Sequence, residues 1–201
     1  MNPTALVYLD YFGIAVFAVS GALLAAEKRQ TLVTFVFFAV ITGVGGGTLR
    51  DVLIGAPVFW VHSNVVLLTC IAAALAVWLT SHRRFANRAL LWFDAAGIAA
   101  YATYGAAKAL AFSVAPVPAF AMGVLTACVG GIIRDVLAGE PSILMRPELY
   151  VTAAALSAGL FVGLALGGVG PWLAAAVAIL AGFALRGAAI ARGWSLPQYR
   201  D

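Results

Sequence analysis

The sequence is short of charge. Of its 201 residues, 12 are Lys or Arg and 8 are Asp or Glu, 10% in all, where a soluble globular domain carries about 25%. Too few ionisable side chains remain to build a water-facing surface, which excludes a soluble fold. Histidine occurs only as His62 and His82, twenty positions apart at opposite ends of an apolar run. Such a pair makes poor metal ligands, and no zinc spacing accompanies it. Cysteine occurs only as Cys70 and Cys128, both inside apolar stretches. They read as small buried hydrophobes, and the redox compartment cannot be taken from them. No Ser-His-Asp set or pair of catalytic carboxylates is evident. The stretch GVGGGT lacks the Lys of a phosphate loop and follows an apolar helix instead of a strand, which argues against nucleotide binding. The expectation is a non-enzyme without a cofactor.

What the chain has in abundance is apolar length. It is 64% hydrophobic with a mean hydropathy of +1.02. Residues 1–30 place an acidic residue early and basic ones late, the wrong order for a signal peptide. A bilayer span needs about 20 apolar residues, and seven such runs are read: 4–26, 31–54, 62–80, 89–110, 116–138, 147–167 and 170–187. Seven spans put the termini on opposite faces. One face then receives Lys28, Arg29, Arg83, Arg84, Arg88, Arg146, Arg186, Arg192 and Arg200. The positive-inside rule makes that face cytoplasmic, with the N-terminus external. The net charge of +4 reads as this loop bias, and nucleic acid is not an expected partner.

The chain also repeats itself. DYFGIAVFAVSG from Asp10 and DAAGIAAYATYG from Asp94 agree at six of twelve positions, and Thr42–Pro57 agrees with Thr126–Pro141 at nine of sixteen, both at an offset of 84. Three spans per unit turn the second unit upside down, the inverted-repeat plan of many transport proteins. The fold class is therefore all-α and membrane-embedded: 1–88 as a first three-helix repeat, 89–168 as a second, inverted one, and 169–201 as a seventh helix with a cytoplasmic tail.

The repeated core is GG-x-x-RDVL-x-G-x-P. Gly45, Gly46 and Gly47, and their counterparts Gly130 and Gly131, strip side chains from one helical turn. Glycine costs about 1 kcal/mol in a helix interior relative to alanine. Two readings stand: kinks or breaks that shape a path near mid-membrane, or close helix packing alone. Arg50 and Asp51 follow, with Arg134 and Asp135 in the second unit. Adjacent helical residues do not face one another, so internal pairing is not expected, and a cross-unit pair such as Arg50 with Asp135 is open. These charges either lock bent helices, contact an ion or substrate, or switch partners in gating. Asp10 and Asp94 either cap helix starts or draw cations to a mouth. Lys108 either snorkels outward or sits in the path. Tyr104 and its offset mate Ser20, like Phe17 and Tyr101, either narrow a pore or satisfy neighbours.

GGGTLRDVLIGAP and GGIIRDVLAGEP together resemble the paired signatures of the prokaryotic trimeric intracellular cation (TRIC) channel family, also labelled glycine transporters. The resemblance covers about residues 5 to 187. It implies seven transmembrane helices in two inverted three-helix units plus one, homotrimers in the inner membrane, lipid contacts, and a potassium- and sodium-permeable pore inside each protomer. It also implies that Gly45–Gly47 and Gly130–Gly131 are the kinks and that Arg50, Asp51, Arg134 and Asp135 are the paired motif charges. Basic residues of the fourth helix sense voltage in eukaryotic members; Lys108 is the basic residue available here within the predicted span. The competing readings are a secondary transporter for a small solute such as glycine, and a structural membrane protein without transport.

Overall fold

The structure, a computed structural model, describes residues 3–80 and 83–197; His82 and Arg200 lie outside them. Seven α-helices follow in order: α1 Pro3–Glu27, α2 Leu32–Leu53, α3 Asn64–Thr80, α4 Arg83–Ala111, α5 Pro116–Leu137, α6 Val151–Leu166 and α7 Pro171–Arg192. A 3₁₀ turn, Ile143–Met145, precedes α6. The helices α1, α2, α5 and α7 are long and apolar enough to cross a bilayer, while α3 and α6 are shorter apolar helices of 17 and 16 residues. At about 1.5 Å of rise per residue, the 22 residues of α2 extend about 33 Å, the thickness of a hydrocarbon core.

The boundaries follow local chemistry. Thr31 caps α2 through the amide of Thr34. Pro116 and Pro171 open α5 and α7, where a missing N–H is harmless. Gly193, in the left-handed region at φ 66°, closes α7. Three of the expected ends are corrected. The fourth helix starts at Arg83, not 89, and the seventh runs to Arg192, not 187, because hydropathy marks only the apolar part of a helix, whereas the backbone ladder of α7 continues until Gly193 ends it in the left-handed region. The sixth begins later than 147, since Ser142 turns the chain first.

The packing repeats like the sequence. In the first half α1 touches α2 and α3, and α2 touches α3; in the second half α4 touches α5 and α6, and α5 touches α6. The halves join through α1 against α4 and α2 against α5, and α7 lies on α4 and α6. At the α1–α4 junction the ring of Tyr101 lies over Gly13 and that of Phe17 over Gly97. A methyl group on either glycine would stand 2.9 Å from the ring of the other half, so an alanine there would have to push that ring aside. Without a hydrophobic drive between helices in lipid, such close approach supplies the dispersion contacts that hold the bundle.

Candidate functional site

The glycine clusters sit where α2 and α5 cross. Both helices are helical at every residue from end to end, straight through Gly45–Gly47 and Gly130–Gly131. A Cβ on Gly46 would collide with the carbonyl oxygen of Thr126, and one on Gly130 would stand 2.5 Å from that of Thr42. Since Gly130 and Thr126 are the offset mates of Gly46 and Thr42, the contact is reciprocal: each half gives a glycine to the other half's threonine backbone. Gly47 and Gly131 clear space of another kind, for the ring of Phe59 and the hydroxyl of Tyr150 respectively.

A charged cluster lies toward the C-terminal end of each of these helices. Arg50, fully buried, donates from Nε to Asp51 Oδ1 at 2.8 Å, and Arg134 does the same to Asp135 at 2.9 Å. Adjacent motif charges therefore do pair internally, which corrects the expectation. Neighbouring Cα–Cβ vectors diverge, but an arginine is long enough to curl back onto the next residue. No cross-unit pair between Arg50 and Asp135 occurs among the described residues. The second carboxylate oxygen of each acid accepts a backbone amide eight residues on: Phe59 N to Asp51 Oδ2 at 3.1 Å, and Ile143 N to Asp135 Oδ2 at 3.0 Å. Phe59 and Ile143 are again offset mates. Each motif thus ties an arginine to the loop that leaves its helix, past a left-handed glycine, Gly55 or Gly139 (φ 68° in both).

The clusters differ in their third members. In the first, Lys108 Nζ bonds both oxygens of Asp51, at 2.8 and 2.9 Å, and the Arg50 guanidinium lies 4.9 Å from the centre of the Tyr104 ring. Lys108 therefore turns inward, which corrects the snorkelling reading. Tyr101 Oη donates to Gly43 O at 3.3 Å and to Asp10 Oδ1 at 3.4 Å. In the second cluster Arg134 Nη1 donates to Asp94 Oδ1 at 2.7 Å and bonds Ser20 Oγ. Ser20 and Tyr104, offset mates on α1 and α4, thus each meet the motif arginine of the other half. Asp10 and Asp94 lie well inside helices that begin at residues 3 and 83, so neither caps a helix start.

Beside the second cluster opens a cavity of about 250 Å³, lined by Leu24, Glu27, Asp94, Arg134, Asp135 and Glu140 among others. Glu140 bonds Lys28 across its edge. That hydrogen bond, with the charge of Lys28, holds the exposed Glu140 carboxyl below the usual carboxylate range. Sequence reasoning missed Phe59, Ile143 and Tyr150. The first two were reachable through the offset, by asking which loop positions correspond; Tyr150 has no counterpart that signals it. It also placed Arg186 with the surface charges, whereas Arg186 is buried in α7 and pairs with Glu148.

Comparison with known proteins bears on the same segments. A family model described as Glycine transporter matches twice, at residues 7–82 and 91–165. A membrane protein of Vibrio cholerae is 44% identical over 156 residues, 75% of this chain and 64% of that relative. The chain thus spans somewhat less than two thirds of that relative's length. The inner membrane protein YadS of Escherichia coli (strain K12) is 41% identical over 149 residues, 73% of this chain and 72% of the relative. Among solved structures, a trimeric intracellular cation channel orthologue from Rhodobacter sphaeroides is 42% identical with a TM-score of 0.90, covering 95% of this chain and all of that one.

Proposed function

Since the chain belongs to the trimeric intracellular cation channel family, to which the Glycine transporter model also answers, we propose that it is a monovalent cation channel of the bacterial inner membrane, potassium-permeable and assembled as a homotrimer. The observation that carries this reading is the near-complete structural match to a cation channel at 42% identity. Residues 1–88 and 89–168 act as the two inverted halves of one conducting unit, and 169–201 as the seventh helix and tail. The path lies within each protomer, along the junction of α2 and α5.

The geometry supports this in physical terms. Two charged clusters flank one helix crossing, and at Gly46 and Gly130 the crossing is made by backbone against backbone. A small slide of α2 past α5 would therefore open the junction without repacking bulky groups. Arg50–Asp51 and Arg134–Asp135 anchor the helix ends to their loops while this happens. Hydroxyls and carbonyls freed at the junction would partly replace ion hydration.

For orientation, the loops 54–63, 112–115 and 167–170 contain no Lys or Arg, whereas Lys28, Arg29, Arg146 and Arg192 gather at the other ends. The N-terminus is accordingly external and the C-terminus cytoplasmic. Arg50, Asp51 and Lys108 then form the outer cluster, and Arg134, Asp135 and Asp94 the inner one. Liposomes loaded for tracer flux test the function: passive potassium efflux supports a channel, and saturable, ion-coupled glycine uptake supports a transporter instead.

A further inference from the structure

Among the side chains paired with the motif carboxylates, the halves differ in formal charge at one position. In the outer cluster Lys108 Nζ sits against both oxygens of Asp51. The offset of 84 carries Asp51 to Asp135, Arg50 to Arg134, Phe59 to Ile143 and Asp10 to Asp94, but it carries Lys108 to Leu24. The inner half therefore keeps the acid, the arginine and the loop amide, and has an uncharged side chain where the outer half brings an ammonium. Formal charges follow: Asp10, Asp51, Arg50 and Lys108 sum to zero, whereas Asp94, Asp135 and Arg134 sum to −1.

Leu24, Asp94, Arg134, Asp135 and Ile143 all line the inner cavity. Of the other charged groups there, Glu27 and Glu140 are acidic and Arg146 basic, and the nearby Lys28 is taken up by Glu140. One acceptor on a residue lining this cavity is unsatisfied: Asp94 is 2% exposed, and its buried Oδ2 has no hydrogen-bond partner among the described residues. Burying an anionic oxygen without a partner is costly. A volume of about 250 Å³ also holds several waters, each of which takes about 30 Å³ in the liquid.

We propose that a monovalent alkali cation binds in the inner cavity, beside Asp135 and Asp94, at the place that the Lys108 ammonium marks in the outer half. Carboxylate oxygens of both acids supply the protein ligands and waters in the cavity supply the remainder. The guanidinium of Arg134 sets the limit of one positive charge. This rests on the channel reading, in which the bound ion is a permeant one waiting at the inner mouth.

The experiment follows purified protein as KCl replaces N-methyl-D-glucamine chloride at constant ionic strength, with potassium currents recorded from the same preparation. The wild type melts at a temperature that rises with potassium and saturates, as a ligand of the folded state requires. Leu24→Lys places an ammonium at the symmetry-related position. It removes the potassium-dependent rise and lowers potassium conductance about tenfold, from like-charge repulsion at a few ångströms. Asp94→Asn moves the potassium midpoint upward about tenfold, an effect that a merely structural loss would not produce; it carries the decision should Leu24→Lys not fold. A wild type without a saturable potassium response, or variants that keep the wild-type midpoint, overturn the site even where currents are normal. A potassium response that Leu24→Lys abolishes in a protein without currents would keep the site and remove the channel reading.

Discussion

Phe17 and Tyr101 stack on each other, ring centroids 5.3 Å apart and planes 21° from parallel, although each holds the same place in its own half. A residue touches its own counterpart only at the axis that relates the two copies. That contact therefore marks where the halves turn into one another. The Gly46–Thr126 and Gly130–Thr42 contacts are reciprocal across the α2–α5 junction, as two copies related by a two-fold require.

Opposed halves make a topology prediction. Cysteine placed at Val61, exposed in the loop after α2, is labelled by a membrane-impermeant maleimide on intact cells, and cysteine placed at Arg29 is labelled only after lysis. The native Cys70 and Cys128 are buried and give little background. Labelling of both positions from the outside contradicts the orientation.

The crossing predicts different costs for adjacent glycines. Gly46→Ala drives a methyl group into a backbone carbonyl, which cannot yield as a side chain can. Gly45→Ala meets the flexible end of Ile133 at 3.3 Å and the Cα of Gly130 at 3.8 Å, an ordinary van der Waals contact. Overpacking of the first kind costs about 1–3 kcal/mol, and the second change costs little. Thermal unfolding in detergent measures both, and equal effects would refute the packing assignment.

Asp51 and Asp135 look alike in sequence but not in what they balance. Asp51→Asn strands Arg50 and Lys108, whereas Asp135→Asn leaves Arg134 paired with Asp94. Breaking a buried pair by removing one partner costs about 3–5 kcal/mol, so Asp51→Asn is the more damaging change. Adding Lys108→Leu, the side chain type the inner half has, recovers part of the loss. A double variant no more stable than the single one contradicts this.

The Lys28–Glu140 pair ties the α1–α2 turn to the loop before α6. Because the Glu140 carboxyl titrates below its usual range, folding gains from the pair above the unfolded value, about 4.3, and loses that gain as pH falls through the depressed one. Solvent screens the pair, so the effect is small. Melting of wild type and Glu140→Gln differs slightly at neutral pH and converges in acid; a gap that widens on acidification is the contrary result.

Much of this was legible in the residues. Seven apolar runs, the loop charges and the repeat at offset 84 define the helix order, because hydropathy and inversion act along the chain. What was not legible depends on distances across the bundle. The glycines read as kinks that shape a path or as close contacts, and the contacts show only when Thr126 and Thr42 are seen against them. Lys108 looked free to reach the surface because Asp51 is 57 positions away in the chain. The pairing of Arg50 with Asp51 was misjudged because the rule for neighbours on a helix concerns backbone direction and ignores the reach of a long side chain.

The channel assignment itself is tested most directly by the reversal potential of purified protein in a planar bilayer under a potassium gradient. The expected result is a current that reverses near the potassium equilibrium potential, with sodium carried less well and no dependence on added glycine. Current absent in active preparations, or present only with glycine and a coupling ion, would contradict the account.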